Sequence, residues 1–190
     1  MAEQHPHQVA KMQTFYNQWW DELEPTFAET TELHVGHKNH SVVSLTSHDW
    51  IGGPTPWNQG HNRSRYPLKK GKSAKHEGHW ALKVLKTGTY QIEVMRWPAE
   101  SGKAINEELV AGEEVPGESK AFRAQVGQAI GAKSATLRLN GKDLETKIVS
   151  EGAKKIVFET ELTKGKYELS PFFHVPEGEL GCYYAIITSK

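Results

Sequence analysis

Trp80-Ala81-Leu82-Lys83-Val84, Thr87-Gly88-Thr89 and Tyr90-Gln91-Ile92-Glu93-Val94 together decide the fold class. Trp80, Leu82 and Val84 alternate with smaller or charged residues, and Tyr90, Ile92 and Val94 do the same after the glycine. A period of two is that of a strand with one buried face, so the stretch predicts a β-hairpin turning at Gly88. The device recurs downstream, where Ile156, Phe158 and Thr160 precede Lys164-Gly165-Lys166, and Tyr167 and Leu169 follow. In both copies a glycine stands two residues before a tyrosine. The copies lie 77 residues apart, too far for a solenoid period.

Between them, Leu137-Arg138-Leu139-Asn140-Gly141-Lys142-Asp143-Leu144 predicts a third hairpin. Asn-Gly suits a tight turn because both positions tolerate positive φ. Shorter runs at Leu33–Val35 and Val42–Thr46, and a last one from Tyr183 to Thr188, bring the expectation to nine or ten strands. Closely spaced strands of this kind fit a mostly β, jelly-roll-type β-sandwich.

The N-terminal segment reads differently. Val9, Met12, Tyr16, Trp19 and Leu23 recur every three or four residues, which predicts an amphipathic helix over residues 6 to 24. Pro6 suits its first turn and Pro25 ends it. Trp19 and Trp20 are large apolar groups for a terminal helix, so a docking surface is expected. The expected division is a helix over residues 1–28 and a sandwich over 29–190.

Hydrophobic residues make up 37% of the 190, and no run approaches the ~18 that cross a membrane. Formal charge is zero, which speaks against a phosphate-neutralising nucleic-acid binder. The N-terminus lacks the basic-then-apolar layout of a secretory signal. Cys182 is the only cysteine and sits in an apolar run, as a small core residue. His34, His37 and His40 are spaced by three, but Gly36 and Asn39 make that segment strand and turn, so no metal site is expected. No metal or cofactor is expected, and no residue is assigned a catalytic role.

Two stretches carry candidate chemistry. His48-Asp49-Trp50 and Trp57-Asn58-Gln59 combine aromatic faces with an imidazole, a carboxylate and amides, the mixture that stacks on sugars and pairs with their hydroxyls. The alternative is that Trp50 and Trp57 plug the edge of the sandwich while the polar groups cap loop backbone. Arg63, Arg65, Lys69, Lys70 and Lys72 form a basic stretch that suits sulfate or another anion, or is simply solvated. An acidic stretch at Glu107, Glu108, Glu113, Glu114 and Glu118 is available to pair with it.

Tyr16, Trp19-Trp20, Leu45-Thr46-Ser47-His48-Asp49-Trp50, Pro56-Trp57-Asn58-Gln59, Gly78-His79-Trp80, Arg96-Trp97-Pro98 and Gly181-Cys182-Tyr183-Tyr184 together resemble the C-terminal region of bacterial arylsulfatases, the formylglycine-dependent sulfatases, over residues 8 to 188. The hairpins are more loosely similar to jelly-roll carbohydrate-binding modules. The sulfatase resemblance implies a helix closing a catalytic domain, a β-sandwich appended to it, and a secreted or periplasmic setting. The family's Cys/Ser-x-Pro-x-Arg signature is absent, and its Asp/Asn calcium ligands have no counterpart. The resemblance therefore implies a non-catalytic accessory domain, partnered by a sulfatase catalytic domain or a sulfated polysaccharide. An independent carbohydrate-binding module and a structural interaction domain with exposed Trp19 and Trp20 are the alternatives.

Overall fold

The computed structural model describes residues 2–68, 73–117 and 124–190. Residues up to Thr31 form one unit and Glu32–Lys190 a second. In the first, α1 (Pro6–Leu23) is followed by a 3-10 turn, Glu24–Ala28. No residue of α1 is buried. Its aromatic side chains contact one another: Tyr16 stacks on Trp20, with centroids 6.1 Å apart, and Trp20 meets Phe27 edge-on at 5.3 Å.

The second unit is a two-sheet β-sandwich of jelly-roll type. Its larger sheet runs in the order β1 (Leu33–Val35), β3 (Trp80–Val84), β8 (Gly165–Leu169), β5 (Ser134–Leu139), β9 (Phe172–Val175), β10 (Gly178–Gly181), with β6 (Lys142–Ile148) also paired to β5. The smaller sheet runs β2 (Val42–Thr46), β11 (Tyr184–Ser189), β4 (Gly88–Met95), β7 (Ile156–Leu162). Pairing is antiparallel except for β1 on β3. Eleven strands are present among the described residues, where nine or ten are expected from the sequence.

The Asn140-Gly141 hairpin forms as predicted, with φ of +49° and +74° at its two turn residues. The other two predicted hairpins do not. β3 pairs with β1 and β8 in the larger sheet, whereas β4 pairs with β11 and β7 in the smaller. β7 and β8 are split between the sheets in the same way. Each Gly-x-Tyr stretch is therefore a corner that carries the chain across the sandwich. Strand alternation looks the same in both arrangements, because each arm buries one face whether it meets its sequence neighbour edge-on or across the core. The two corners adjoin, with Lys164 N donating to Thr87 Oγ1 at 3.0 Å.

The alternating residues fill the space between the sheets. Trp80, Leu82, Val84, Tyr90, Ile92, Val94 and Phe158 are all 0–1% exposed. Trp80 also ties the sheets together, its Nε1 donating to Thr46 O at 2.6 Å. Cys182 is buried, as expected of a small core residue, and burial pushes its thiol well up. Gly181 lies against two aromatic rings, and a Cβ there would collide with His76 Cε1 and Trp50 Cη2. Gly181→Ala is expected to cost about 2–3 kcal/mol through overpacking, read as a fall of ~5–10 °C in the thermal midpoint. A midpoint within a degree of the parent would show that the His76–Trp50 packing is misdescribed.

Candidate functional site

A cleft of about 380 Å³ opens where a short helix, α2 (Gln59–Arg63), meets the end of β4 and the start of β11. This lies in the range of small-molecule sites. The sequence predicts loop here; a five-residue helix forms because Asn58 caps it. Asn58 is extended, with φ −156° and ψ 172°, and its Oδ1 accepts from His61 N at 3.0 Å. Trp57 N donates to His61 Nδ1 at 3.2 Å, and the His61 ring stacks on Tyr66 at 4.2 Å.

α2 contributes Gln59, Asn62 and Arg63 to the cleft. Opposite them stand Trp97, Pro98 and Ser101, Leu109 borders it, and Tyr184 at the head of β11 faces it from the smaller sheet. Asn62 Nδ2 donates to the Tyr184 phenol at 3.2 Å. Burial pushes that phenol above its ordinary range, more strongly than Asn62 and Arg96 pull it down, so it keeps its proton at neutral pH. Trp97 is fixed by its indole N–H, which donates to Glu107 O at 3.0 Å. Gly127 gives it room, since a Cβ there would stand 2.9 Å from Trp97 Cη2.

The cleft is thus lined by the Gln59 and Asn62 amides, two hydroxyls and a guanidinium beside a proline and a leucine; the Trp97 indole is 3% exposed and, like Trp50, is wall and no open face. No carboxylate lines it among the described residues. Planar amides and hydroxyls that donate and accept, set beside apolar faces, match the alternating hydroxyl and C–H surfaces of a pyranose. Among the described residues, no three His, Cys, Asp or Glu side chains are placed to share a metal ion. Among the same residues, no helix is long and apolar enough to cross a membrane.

The sequence-predicted residues divide. Gln59 and Arg63 line the cleft. Asn58 is committed to the cap. Trp57 is 74% exposed beside α2 and does not line the cleft. His48 and Asp49 are exposed in the 3-10 turn Ser47–Asp49, where Asp49 accepts from Thr46 Oγ1 at 3.2 Å. Trp50 is 8% exposed and packs edge-on against Trp80 and Tyr183, with centroids 5.8 and 5.9 Å away. Its ring is core wall and offers no open face to a sugar.

The basic stretch is likewise drawn inward. Arg63 Nη1 donates to Val110 O at 3.0 Å and Gln125 O at 2.8 Å. Arg65 pairs with Glu177 at 2.6 Å and donates to Ile130 O. Lys69, Lys70 and Lys72, like Glu118 of the acidic stretch, lie outside the described residues. The acidic loop meets Arg63 through main-chain carbonyls, while its Glu107 pairs with Lys103 at 2.5 Å. Asn62, Trp97, Ser101 and Tyr184 are cleft residues that the sequence reading does not single out. Trp97 and Tyr184 stand in the Arg-Trp-Pro and Gly-Cys-Tyr-Tyr segments, whose aromatic–polar mixture is the same signal that marks Trp57-Asn58-Gln59.

No protein-family model matches the chain, and no curated protein matches it. Solved structures that this chain matches include the CBM35 module from Cellvibrio japonicus Abf62, 12% identical, covering 78% of this chain and 94% of that one at a TM-score of 0.44. The Podospora anserina GH26-CBM35 β-(1,4)-mannanase is 11% identical over 79% of this chain and 28% of its own, at 0.40. The Bacillus subtilis protein YxiM is 11% identical over 60% and 22%, at 0.31. This chain spans well under two thirds of the last two. At such identities and scores the likeness carries no argument about this chain. The arylsulfatase resemblance gains no support from these comparisons.

Proposed function

We propose that the chain is a non-catalytic, carbohydrate-binding accessory domain and that the α2 cleft is its sugar site. The observation that carries this reading is the lining itself: Gln59 and Ser101 are exposed, Asn62 and Tyr184 stand beside them, and Pro98 and Leu109 supply apolar surface. Asn62 and Tyr184 are held by their hydrogen bond to each other and Trp97 by its bond to Glu107 O, so a ligand has mainly the Gln59 side chain left to order.

The narrower reading has a sulfated glycan as ligand and a sulfatase catalytic domain as partner, in a secreted or periplasmic setting. It rests on the sequence resemblance over residues 8 to 188. Arg63 is the one cation lining the cleft among the described residues. A sulfated glycan should therefore bind more tightly than its desulfated form if that reading holds. Equal affinity for the two would remove it and leave the broader one standing.

The broader reading is tested on a glycan array followed by calorimetry on the hits. Gln59 is exposed and its side chain makes no hydrogen bond among the described residues, so Gln59→Ala should weaken glycan binding by ~5–10-fold, the worth of one hydrogen bond, with an unchanged thermal midpoint. Full affinity in Gln59→Ala would place the sugar elsewhere.

A further inference from the structure

The N-terminal unit carries an apolar stripe that its own residues leave open. Along α1, Val9, Met12, Phe15, Tyr16, Trp19 and Trp20 are 39–71% exposed, and no residue of the helix is buried. At the ~100° per residue of an α-helix they fall, with Leu23, in one stripe ~140° wide. Lys11, Asp21 and Glu22 lie outside it. Val9, Met12, Tyr16, Trp19 and Leu23 recur at alternating steps of three and four, the seam positions of a helix pair, and Phe15 and Trp20 flank that seam.

The stripe has the composition and the size of an interface. Aromatic and methionine side chains with charge kept out are what interface centres are made of. Tyr16 stands against Trp19 and Trp20, with centroids 5.9 and 6.1 Å away, so the platform is already assembled. A whole aromatic side chain buries ~150–250 Å², so the exposed parts of Phe15, Tyr16, Trp19, Trp20 and Phe27 come to roughly 500 Å². Met12 and Val9 bring the sum close to the ~800 Å² that each partner gives to a stable complex.

The charges say which way round a second copy would lie. α1 has no acid in its first turn, no base in its last, and no side-chain cap on its N-terminal N–H groups. Asp21 and Glu22 stand instead at its C-terminal end, followed by Glu24, against the negative pole of the macrodipole. Lys11 is the one lysine or arginine of the helix and lies in its N-terminal half. Each end lacks what the other end holds. A parallel copy sets acid beside acid, whereas an antiparallel copy sets Asp21, Glu22 and Glu24 near the uncapped N-terminus and Lys11 of its partner. A bilayer surface fits less well, because helices that lie on membranes are rich in lysine and arginine, and α1 sets one lysine against two acids.

We propose that α1 joins two copies of this chain as an antiparallel helix pair, Tyr16 of each against Trp19 of the other and Met12 against Leu23. The pairing is independent of what the α2 cleft binds. Sedimentation velocity on the intact chain tests it. With rising concentration the parent should pass from one chain of 21.3 kDa to twice that mass. Trp19→Ala keeps a good helix former at an exposed position and should raise the dissociation constant ~30-fold or more, the loss of one anchor, without moving the thermal midpoint of the β-sandwich. The orientation is read by spin labelling. Cys182 is buried, so a nitroxide attaches to a cysteine placed on the polar side of α1, as in Ala10→Cys. In the antiparallel pair the two labels stand ~20 Å or more apart along the axis; in a parallel pair they lie side by side. A parent that stays monomeric, whether free or floated with phosphatidylcholine–phosphatidylserine vesicles, a dimer that Trp19→Ala leaves intact, or labels side by side overturns the proposal.

Discussion

Trp50→Ala is expected to lose about 3–5 kcal/mol of stability, the cost of emptying a buried tryptophan site, and to do so whether or not a glycan is present. A domain of this size has ~5–15 kcal/mol in all, so the variant should be partly unfolded near physiological temperature. Trp50 touches Trp80, Tyr183 and His76, the last with centroids 4.7 Å apart, so its removal opens the core on three sides. Its indole N–H is buried without a partner among the described residues. Trp50→Phe, which deletes that orphaned donor and keeps an aromatic ring, should therefore cost much less than Trp50→Ala. Chemical denaturation of the two variants separates core packing from sugar stacking. A stable Trp50→Ala protein that had lost only glycan affinity would restore Trp50 as a sugar platform.

The second large effect is a dependence on pH. His76 is half-buried, its ring against Trp50, Gly181 and Gly78 and its other side on the polar cleft lined by Lys75 and Arg138. Burial is the dominant influence and lowers its pKa to about 4; Glu179 opposes this, while Arg138 and His79 reinforce it. In the unfolded chain the imidazole titrates near 6.5, so between about 6.5 and 4 the unfolded state binds more protons than the folded one. The stabilisation is thus whole above pH ~6.5 and is lost as pH falls toward 4, by at most about 3 kcal/mol across the window and less in proportion as solvent in the adjoining cleft reaches the ring. Urea denaturation at pH 7, 5.5 and 4 should show that slope, and His76→Phe should flatten it. A parent protein equally stable at pH 7 and 4.5 would mean that His76 is solvated.

What the sequence made legible follows from what alternation encodes. It told which side of Trp80–Val84 and Tyr90–Val94 faces the core, and it predicted the Asn140-Gly141 turn, where the chemistry is purely local. It was silent on which strand lies beside which, because a corner and a hairpin bury the same residues. The site shows the same division. Trp50 and Trp57 are equivalent as letters, yet one is 8% and the other 74% exposed, a difference set by the tertiary partners Tyr183 and His76. Gln59 and Arg63 were within reach of a local reading because α2 is one short segment. Tyr184 and Trp97 join them across 122 and 35 residues from Asn62, through the β11–β4 pairing that no local pattern records. Arg96 figured only as part of Arg-Trp-Pro and with no sign of its burial, since a buried arginine is read from a sequence as a surface one.

The most direct test of the account is a nitrogen-15 NMR titration of the parent chain with the strongest-binding glycan from an array. Saturable shifts are predicted in the amide side chains of Gln59 and Asn62 and in the backbone around Arg63, Ser101 and Tyr184. Shifts confined to another surface, such as the polar cleft bordered by His79, Arg138 and Glu168, or no saturable shift with any glycan, would contradict it.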